Sequence, residues 1–505
     1  MPSKLIIFSV FAIIGSILVQ CCHGLRLNGG RTLSMKSRNL FTIKPNDVKG
    51  DENLPQKYGP FVIDMPLDHF STNGENGTTF KSRYWVNTDY YKPNGPILLT
   101  NAGEAAVDDA SYVLFNSTVA QLAQRLGGIY VYMEHRFYGS SGPENFLQEL
   151  SKLTAEQALA DIAYLIRNIK FSDELNVPPV PKSKVIVYGC SYSGSLAAWM
   201  KDKYSDIVFA SVASSAPVEA QFNFYQYFDP IIRYGSQPCI NSIQKVVSTI
   251  DGILFGSDTK QVNTLKALFD AEDLYDDDFA SLLSNPLAEY WQYGITATKN
   301  NFQDIICNTV FNSTTNTTAE QDLLIFASFV KSYTKSNLCK DYNNLSSCVG
   351  THNATDIQTQ MQNDPSTASW VWQTCIQFGY FQVSAPHGEP TIVSRKLTTD
   401  LFERVCQLYF PGMDLPKQPD VNQVNEEYQG WDIQLNNTIW IDGEWDSWRE
   451  LSVHSEQANR KVQNGIIIPK ATHCANFAGI DKNSPQYMID IQDQQYTQLK
   501  AWLQE

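Results

Sequence analysis

A chain of 505 residues with 43% hydrophobic and 12% aromatic content has material for a large core and a second lobe, which excludes wholesale disorder. Its 38 Lys and Arg against 53 Asp and Glu leave a formal charge of −15. So acidic a chain excludes a nucleic-acid partner, whose phosphates call for basic patches.

The first segment reads as an export leader. Lys4 supplies a positive start, Leu5 to Val19 an apolar run short for a bilayer span, and Cys22 and Gly24 stand at the −3 and −1 positions of a cleavage site. Residues 1–24 are expected to be removed. Residues 25–54, polar and containing Pro, Gly and Asn, read as a flexible arm or a pro-segment. No later stretch approaches the roughly 20 apolar residues of a span, so the mature chain is expected to be secreted or lysosomal, with no membrane anchor. Seven Asn-X-Ser/Thr sequons, at Asn76, Asn116, Asn312, Asn316, Asn344, Asn353 and Asn436, fit export and predict glycosylated loops.

From about residue 60, short apolar runs alternate with helix-like stretches: Pro96 to Leu99, Gly128 to Met133, Lys184 to Tyr188, and later Thr438 to Ile441 and Gly465 to Ile468. That alternation predicts an α/β fold, a mostly parallel sheet with helices on both faces. Between about 218 and 424 the rhythm stops. Helical periodicity dominates there, in Val262 to Leu283 and Ala319 to Tyr333, and Cys239, Cys307, Cys339, Cys348, Cys375 and Cys406 cluster. In an exported chain with no C-x-x-C pair, disulfides are expected rather than a thiolate metal site. Segments 55–217 and 425–505 should therefore build one core, with 218–424 a helical, disulfide-bonded cap inserted into it. Cys190 and Cys474 lie outside the cluster and are expected to be buried thiols, a bridge between them being the alternative because one follows Gly189 at the elbow and the other follows His473.

The strongest local signal is Lys184 to Trp199: a strand, then Gly189-Cys190-Ser191-Tyr192-Ser193-Gly194-Ser195, then a helix. A nucleophile elbow puts its serine on such a turn, so that Oγ projects above the sheet and small neighbours let strand and helix approach. Ser191 has Gly189 two residues before it, but Ser193 stands where the usual motif has a second glycine. A plain Gly/Ser-rich turn is the competing reading. Ser193 and Ser195 have no glycine two positions before them and read as packing or helix N-terminal residues.

In an α/β-hydrolase the triad runs Ser, acid, His along the chain. His23 leaves with the leader, His69 and His135 precede the serine, and His352 and His387 lie in the cap segment. His454 reads as an exposed helix residue. His473, in a loop just past the run Gly465 to Ile468, stands where the base belongs. Asp442, Glu444 and Asp446 all follow the run Thr438 to Ile441; spacing favours Asp446 without eliminating the others. For an oxyanion hole, the N–H after the nucleophile is that of Tyr192, and the small-residue loop after Pro96 to Thr100 offers Gly103 or Glu104.

Several separated windows carry a resemblance: Leu67 to Phe70, Phe80 to Asn87, Glu134 to Gly139, Glu156 to Asp161, the elbow, Trp370 to Gln382, Asp442 to Trp448 and Thr472 to Cys474. In order along nearly the whole mature chain, they resemble the family of lysosomal Pro-X carboxypeptidase, dipeptidyl peptidase II and thymus-specific serine protease. Ser193, Gln373 to Cys375 and Thr472 to Cys474 look nearest the thymus-specific branch. The resemblance implies an α/β-hydrolase core with a helical insertion, no cofactor or metal, and a serine exopeptidase that cuts peptides after proline or small residues, with a homodimer allowed. It places the nucleophile at Ser191, the acid at Asp446 and the base at His473. It raises Trp370, otherwise a core residue like Trp372, as a pocket wall, with Gln373 on the same face. It also suggests Cys375 paired with Cys406; Cys239 with Cys339 and Cys307 with Cys348 are proposed alongside.

Two departures stand out: Ser447 follows the acid where the family tends to have proline, and Ile376-Gln377 replaces Thr-Glu, removing a carboxylate near the cleft. Glu134 to Gly139 reads as a buried ion pair and turn. Two rival functions are a catalytically inactive secreted homologue acting as a binding protein, which should have lost a triad member, and an esterase, which usually carries an HGGG-like oxyanion loop. Neither mark is present.

Overall fold

The computed structural model describes residues 54–504, apart from 72–76, 295–300, 312–316, 341, 343, 364 and 459. The leader, the arm and the sequons at Asn76, Asn312 and Asn316 lie outside the described residues. Eight strands form one sheet: β1 (Phe61–Pro66), β2 (Thr79–Asn87), β3 (Ile97–Asn101), β4 (Ile129–Met133), β5 (Val185–Cys190), β6 (Ala210–Ser214), β9 (Thr438–Gly443) and β10 (Gly465–Ile468). Their spatial order is β1-β2-β4-β3-β5-β6-β9-β10. β1 and β2 are antiparallel to each other, β2 is antiparallel to β4, and every other pairing is parallel. This is the α/β-hydrolase fold.

The central strands are buried on both faces, which is why they read as continuous apolar runs rather than alternating ones. Successive side chains feed two cores. Leu98, Tyr130, Tyr132, Ile186, Tyr188 and Ile441 join helices Thr118–Leu126 and Gln486–Gln504 on one face. Leu99, Val131, Met133, Val187 and Trp440 join helices Ala155–Asn168 and Tyr192–Lys203 on the other, and that core continues into the cap.

Among the described residues between β6 and β9 no strand joins this sheet, and β7 (Gln221–Asn223) and β8 (Gly379–Phe381) form a small parallel pair of their own. The rest is mainly helical. Helix Ala319–Tyr333 begins on a capping box in which Thr318 and Gln321 satisfy each other's backbone N–H. The Val262 to Leu283 periodicity breaks into helices Thr259–Ala267 and Asp276–Gln292. The break is a turn through Asp270 in left-handed conformation (φ 55°), and Lys266 Nζ donates to the Leu274 carbonyl within it. Asp276, Asp277 and Asp278 then start the next helix, where its dipole favours negative charge.

The disulfides correct three expectations. Cys375 pairs with Cys406, but Cys239 pairs with Cys307 and Cys339 with Cys348, not Cys239 with Cys339 or Cys307 with Cys348. Cys339 and Cys348, nine residues apart, close a local turn, and this leaves Cys239, on helix Gln237–Leu254, to meet Cys307. Cys190 and Cys474 are not thiols; they are bonded to each other across a sequence separation of 284. Strand order, which brings the loop after β10 back over the end of β5, puts them together.

Candidate active site

β5 ends at Cys190, and Ser191 turns the chain with φ 60° and ψ −137° before helix Tyr192–Lys203 begins. The turn needs close packing. A Cβ on Gly189 would lie 1.9 Å from the Ser193 carbonyl oxygen, and one on Gly194 would lie 2.6 Å from that of Ser214 on β6. The second obligatory glycine is thus Gly194, one place beyond the usual position, which explains why Ser193 is tolerated. Ser193 Oγ donates to the Asn101 carbonyl at 2.5 Å and Ser195 Oγ to the Pro217 carbonyl at 3.0 Å; both serines are buried. Ser191 alone of the three faces a histidine.

His473 Nε2 lies 2.9 Å from Ser191 Oγ. Its Nδ1 lies 3.0 and 2.9 Å from the two carboxylate oxygens of Asp446, which also accepts from the Trp448 N–H at 2.9 Å. A carboxylate at Nδ1 keeps the proton there and leaves Nε2 as the acceptor facing the serine. The competing carboxylates are engaged elsewhere: Asp442 with His454 Nδ1 at 2.6 Å, and Glu444 with the Lys470 N–H at 2.8 Å. His454 is accordingly a half-buried turn residue paired with Asp442, not an exposed helix residue.

Tyr192 is the first residue of its helix, so its N–H has no intrahelical acceptor and points out of the helix N-terminus. On the facing loop, Gly103 adopts φ 66° and packs against Ser193, but its N–H donates to Asn101 Oδ1 at 2.9 Å. That leaves Glu104 as the loop's candidate donor. Burial pushes the Glu104 carboxyl up to about 7, against the opposing pull of its own backbone N–H and of His473. A carboxyl that changes charge near neutrality therefore stands near His473. In the sequence Glu104 stands out only for its backbone N–H; the signal for its side chain is a lone acid in a small-residue loop.

Residues 65–494 match the family model Serine carboxypeptidase S28. The chain belongs to the S28 serine carboxypeptidase family. It is 29% identical over 503 residues to a probable extracellular serine carboxypeptidase of Arthroderma benhamiae, an alignment covering 90% of this chain and 69% of that one. It is 27% identical over 463 residues to the thymus-specific serine protease of Mus musculus, covering 88% and 87%, and 27% identical over 464 residues to that of Homo sapiens, covering 87% and 86%. The chain is thus a serine-type peptidase.

In this S28 peptidase an aromatic row runs from Tyr192 through the segment between β6 and β9 to His473. Ring centroids are 5.7 Å apart for Tyr192 and Trp370, 6.1 Å for Trp370 and Phe378, 5.5 Å for Phe378 and Tyr380, 5.3 Å for Tyr380 and Trp448, and 6.1 Å for Trp448 and His473. Gln373 lies beneath this row, fully buried. Its Oε1 accepts from Tyr138 OH at 2.6 Å and its Nε2 donates to Tyr192 OH at 2.9 Å. Tyr192 OH in turn lies 3.2 Å from His135 Nε2, and His135 Nδ1 lies 2.7 Å from the Arg136 carbonyl. Burial lowers His135 to about 4, so its ring is neutral, with Nδ1–H donating and Nε2 accepting from Tyr192. The four side chains form one satisfied chain linking Gln373 to Tyr192, the residue after Ser191.

The window from Glu134 to Gly139 is the buried ion pair and turn that its residues suggest. Arg136 donates twice to Asp161, at 2.6 Å each, and Glu134 takes both Arg83 and the Val107 N–H. Gln377, where the family tends to have Glu, accepts from the Ala155 N–H at 3.0 Å, at the first turn of helix Ala155–Asn168. A neutral amide suffices there.

Proposed function

We propose that this S28 peptidase hydrolyses peptide bonds after proline or a similarly small residue near a chain end, with Ser191 as nucleophile, His473 as base and Asp446 as the acid that orients it. The observation that carries this is the continuous Asp446–His473–Ser191 hydrogen-bond array at 2.9–3.0 Å. His473 Nε2 takes the Ser191 proton as Oγ attacks the carbonyl carbon; the tetrahedral oxyanion is held by the N–H groups of Tyr192 and Glu104. Asp446 stabilises the imidazolium, which gives its proton to the leaving amine. A water, activated by the same base, then releases the acyl group from Ser191.

Trp370 is the pocket wall in this reading. A flat apolar ring such as proline's buries well against an indole and asks for no hydrogen-bond donor. Access is narrowed by the cap, which touches both reactive loops: Trp291 Nε1 donates to the Trp445 carbonyl at 2.7 Å and Trp448 Nε1 to Gln292 at 2.8 Å in the loop of Asp446, and Thr472 Oγ1 donates to the Gly294 carbonyl at 3.4 Å in the loop of His473. Short or frayed peptides fit such an entrance better than folded chains.

A secreted or lysosomal setting is supported by the leader, by four disulfides among the described residues and by exposed sequons at Asn344, Asn353 and Asn436; Asn116 is half-buried. Among the described residues no helix is long and apolar enough to cross a membrane. The test is cleavage of an unbiased peptide mixture at pH 5 and pH 7, with products read by mass spectrometry. Terminal cuts after proline or small residues are expected; mainly internal cuts after basic or large aromatic residues would overturn the pocket reading.

A further inference from the structure

His473 has farther to travel than any other member of the triad. Its loop, residues 469–479, leaves β10 at the edge of the sheet, and β9 and β6 stand between β10 and the β5 end that carries Ser191. At about 4.8 Å per strand the loop crosses roughly 14 Å of sheet. It does so with turns alone, having no helix or strand of its own. Near its start it is held by two carboxylates, Asp446 at His473 Nδ1 and Glu444 at the Lys470 N–H. From Cys474 onward its hydrogen bonds to the core are neutral: Cys474 N–H to Ser215 Oγ at 3.0 Å, Ser214 Oγ to Asn476 Oδ1 at 2.6 Å, Asn476 Nδ2 to Tyr188 OH at 2.9 Å, Thr118 N–H to the Phe477 carbonyl at 3.0 Å and Thr118 Oγ1 to the Ala478 carbonyl at 2.9 Å.

One attachment is covalent, and its position is specific. The Cys190–Cys474 bond joins the residue immediately before Ser191 to the residue immediately after His473, with Cα atoms 5.9 Å apart and both side chains buried. Ser191 (φ 60°) and Cys474 (φ 58°) both hold left-handed backbone, which residues other than glycine keep only where their surroundings enforce it.

We propose that the Cys190–Cys474 disulfide is a positioning crosslink: it holds the base in register with the nucleophile, and peptide turnover depends on its being oxidised. The inference rests on the reading of Ser191 and His473 as nucleophile and base. A crosslink that merely stabilised the fold would change the melting temperature and leave turnover below it untouched. A positioning crosslink acts on kcat, because displacing a catalytic group by about 1 Å can cost on the order of a hundredfold in rate while leaving substrate binding alone.

The experiment compares the full-length enzyme with the paired variant Cys190→Ala/Cys474→Ala and with Cys339→Ala/Cys348→Ala, which opens a cap bridge remote from the triad. Peptide turnover and the rate of fluorophosphonate labelling at Ser191 are measured well below each melting temperature. In the first variant kcat and labelling should fall about tenfold or more with KM within about twofold, and the second should match the parent. A folded Cys190→Ala/Cys474→Ala enzyme with parental kcat overturns the proposal.

Should that variant not fold, graded reduction of the parent enzyme decides. A small dithiol opens the bond by two exchanges, becoming a cyclic disulfide while Cys190 and Cys474 become thiols. Mass spectrometry of alkylated peptides reads which bridge is open, and active-site titration reads the competent fraction of the same sample. Competence should fall with the opening of Cys190–Cys474 and return on reoxidation; full competence with that bond open overturns the proposal. If instead the untreated parent cleaves no peptide, or Ser191→Ala stays active, it is the triad reading that fails.

Discussion

Glu104→Gln should change the pH dependence of the peptidase more than its maximal rate. In the folded protein the Glu104 carboxyl is pushed up to about 7 from an ordinary 4.5, chiefly by burial, so it is neutral in acid and ionises as the pH rises through neutrality. The ionised form places a negative charge beside the position where the oxyanion develops and binds the very N–H that should stabilise it. The charged and polar groups facing it are His473, Tyr138, Tyr192 and Tyr380. If only the neutral form turns over, kcat/KM at pH 8 should be about a tenth of its value at pH 5.5 to 6, because one pH unit beyond the midpoint leaves roughly a tenth of the carboxyl protonated. Glu104→Gln keeps the size and cannot ionise, so the fall between pH 6 and 8 should flatten. Stability follows the same sign: a carboxyl raised on folding contributes least once the pH has passed from about 4.5 through about 7, and the variant's melting temperature should lose that decline. The assay is kcat/KM on one short proline-containing peptide from pH 5 to pH 8.5, with melting curves alongside. An unchanged alkaline fall in Glu104→Gln refutes the reasoning.

Ser191→Ala and His473→Ala should each lower turnover by several orders of magnitude and remove fluorophosphonate labelling, with circular dichroism unchanged; labelling that survives Ser191→Ala sinks the nucleophile assignment. Gln373→Leu leaves the buried Tyr138 hydroxyl without its acceptor and the Tyr192 hydroxyl with His135 alone, and should destabilise the protein by about 1–3 kcal/mol, with kcat reduced more than KM is raised; thermal denaturation and steady-state kinetics check both. Arg136→Met removes both guanidinium bonds from the buried Asp161 carboxylate, leaving it His69, and should cost about 3–5 kcal/mol in denaturant unfolding. Non-reduced peptide mapping should recover Cys239–Cys307, Cys339–Cys348, Cys375–Cys406 and Cys190–Cys474.

Much of this protein is written in local pattern. The runs at Lys184 to Tyr188 and Gly465 to Ile468 became β5 and β10 because a strand buried on both faces needs a continuous apolar run, and residues 319–333 became a helix because period and cap agree within that segment. The order Ser191, Asp446, His473 is likewise a property of the chain. What the sequence could not carry were choices between equivalent partners. Asp442, Glu444 and Asp446 differ by two residues at a time, and only the fold assigns the first to His454, the second to the Lys470 N–H and the third to His473. The Gly103 N–H meets Asn101 Oδ1 through a loop geometry that residue type does not reveal, and Gln373 is buried between the hydroxyls of Tyr138 and Tyr192, both far from it in the chain. The cystine pairs behaved in the same way, Cys190 and Cys474 most of all. Each of these outcomes is set by distances between segments hundreds of residues apart, and such distances exist only once the strand order of the sheet and the seat of the cap have been chosen.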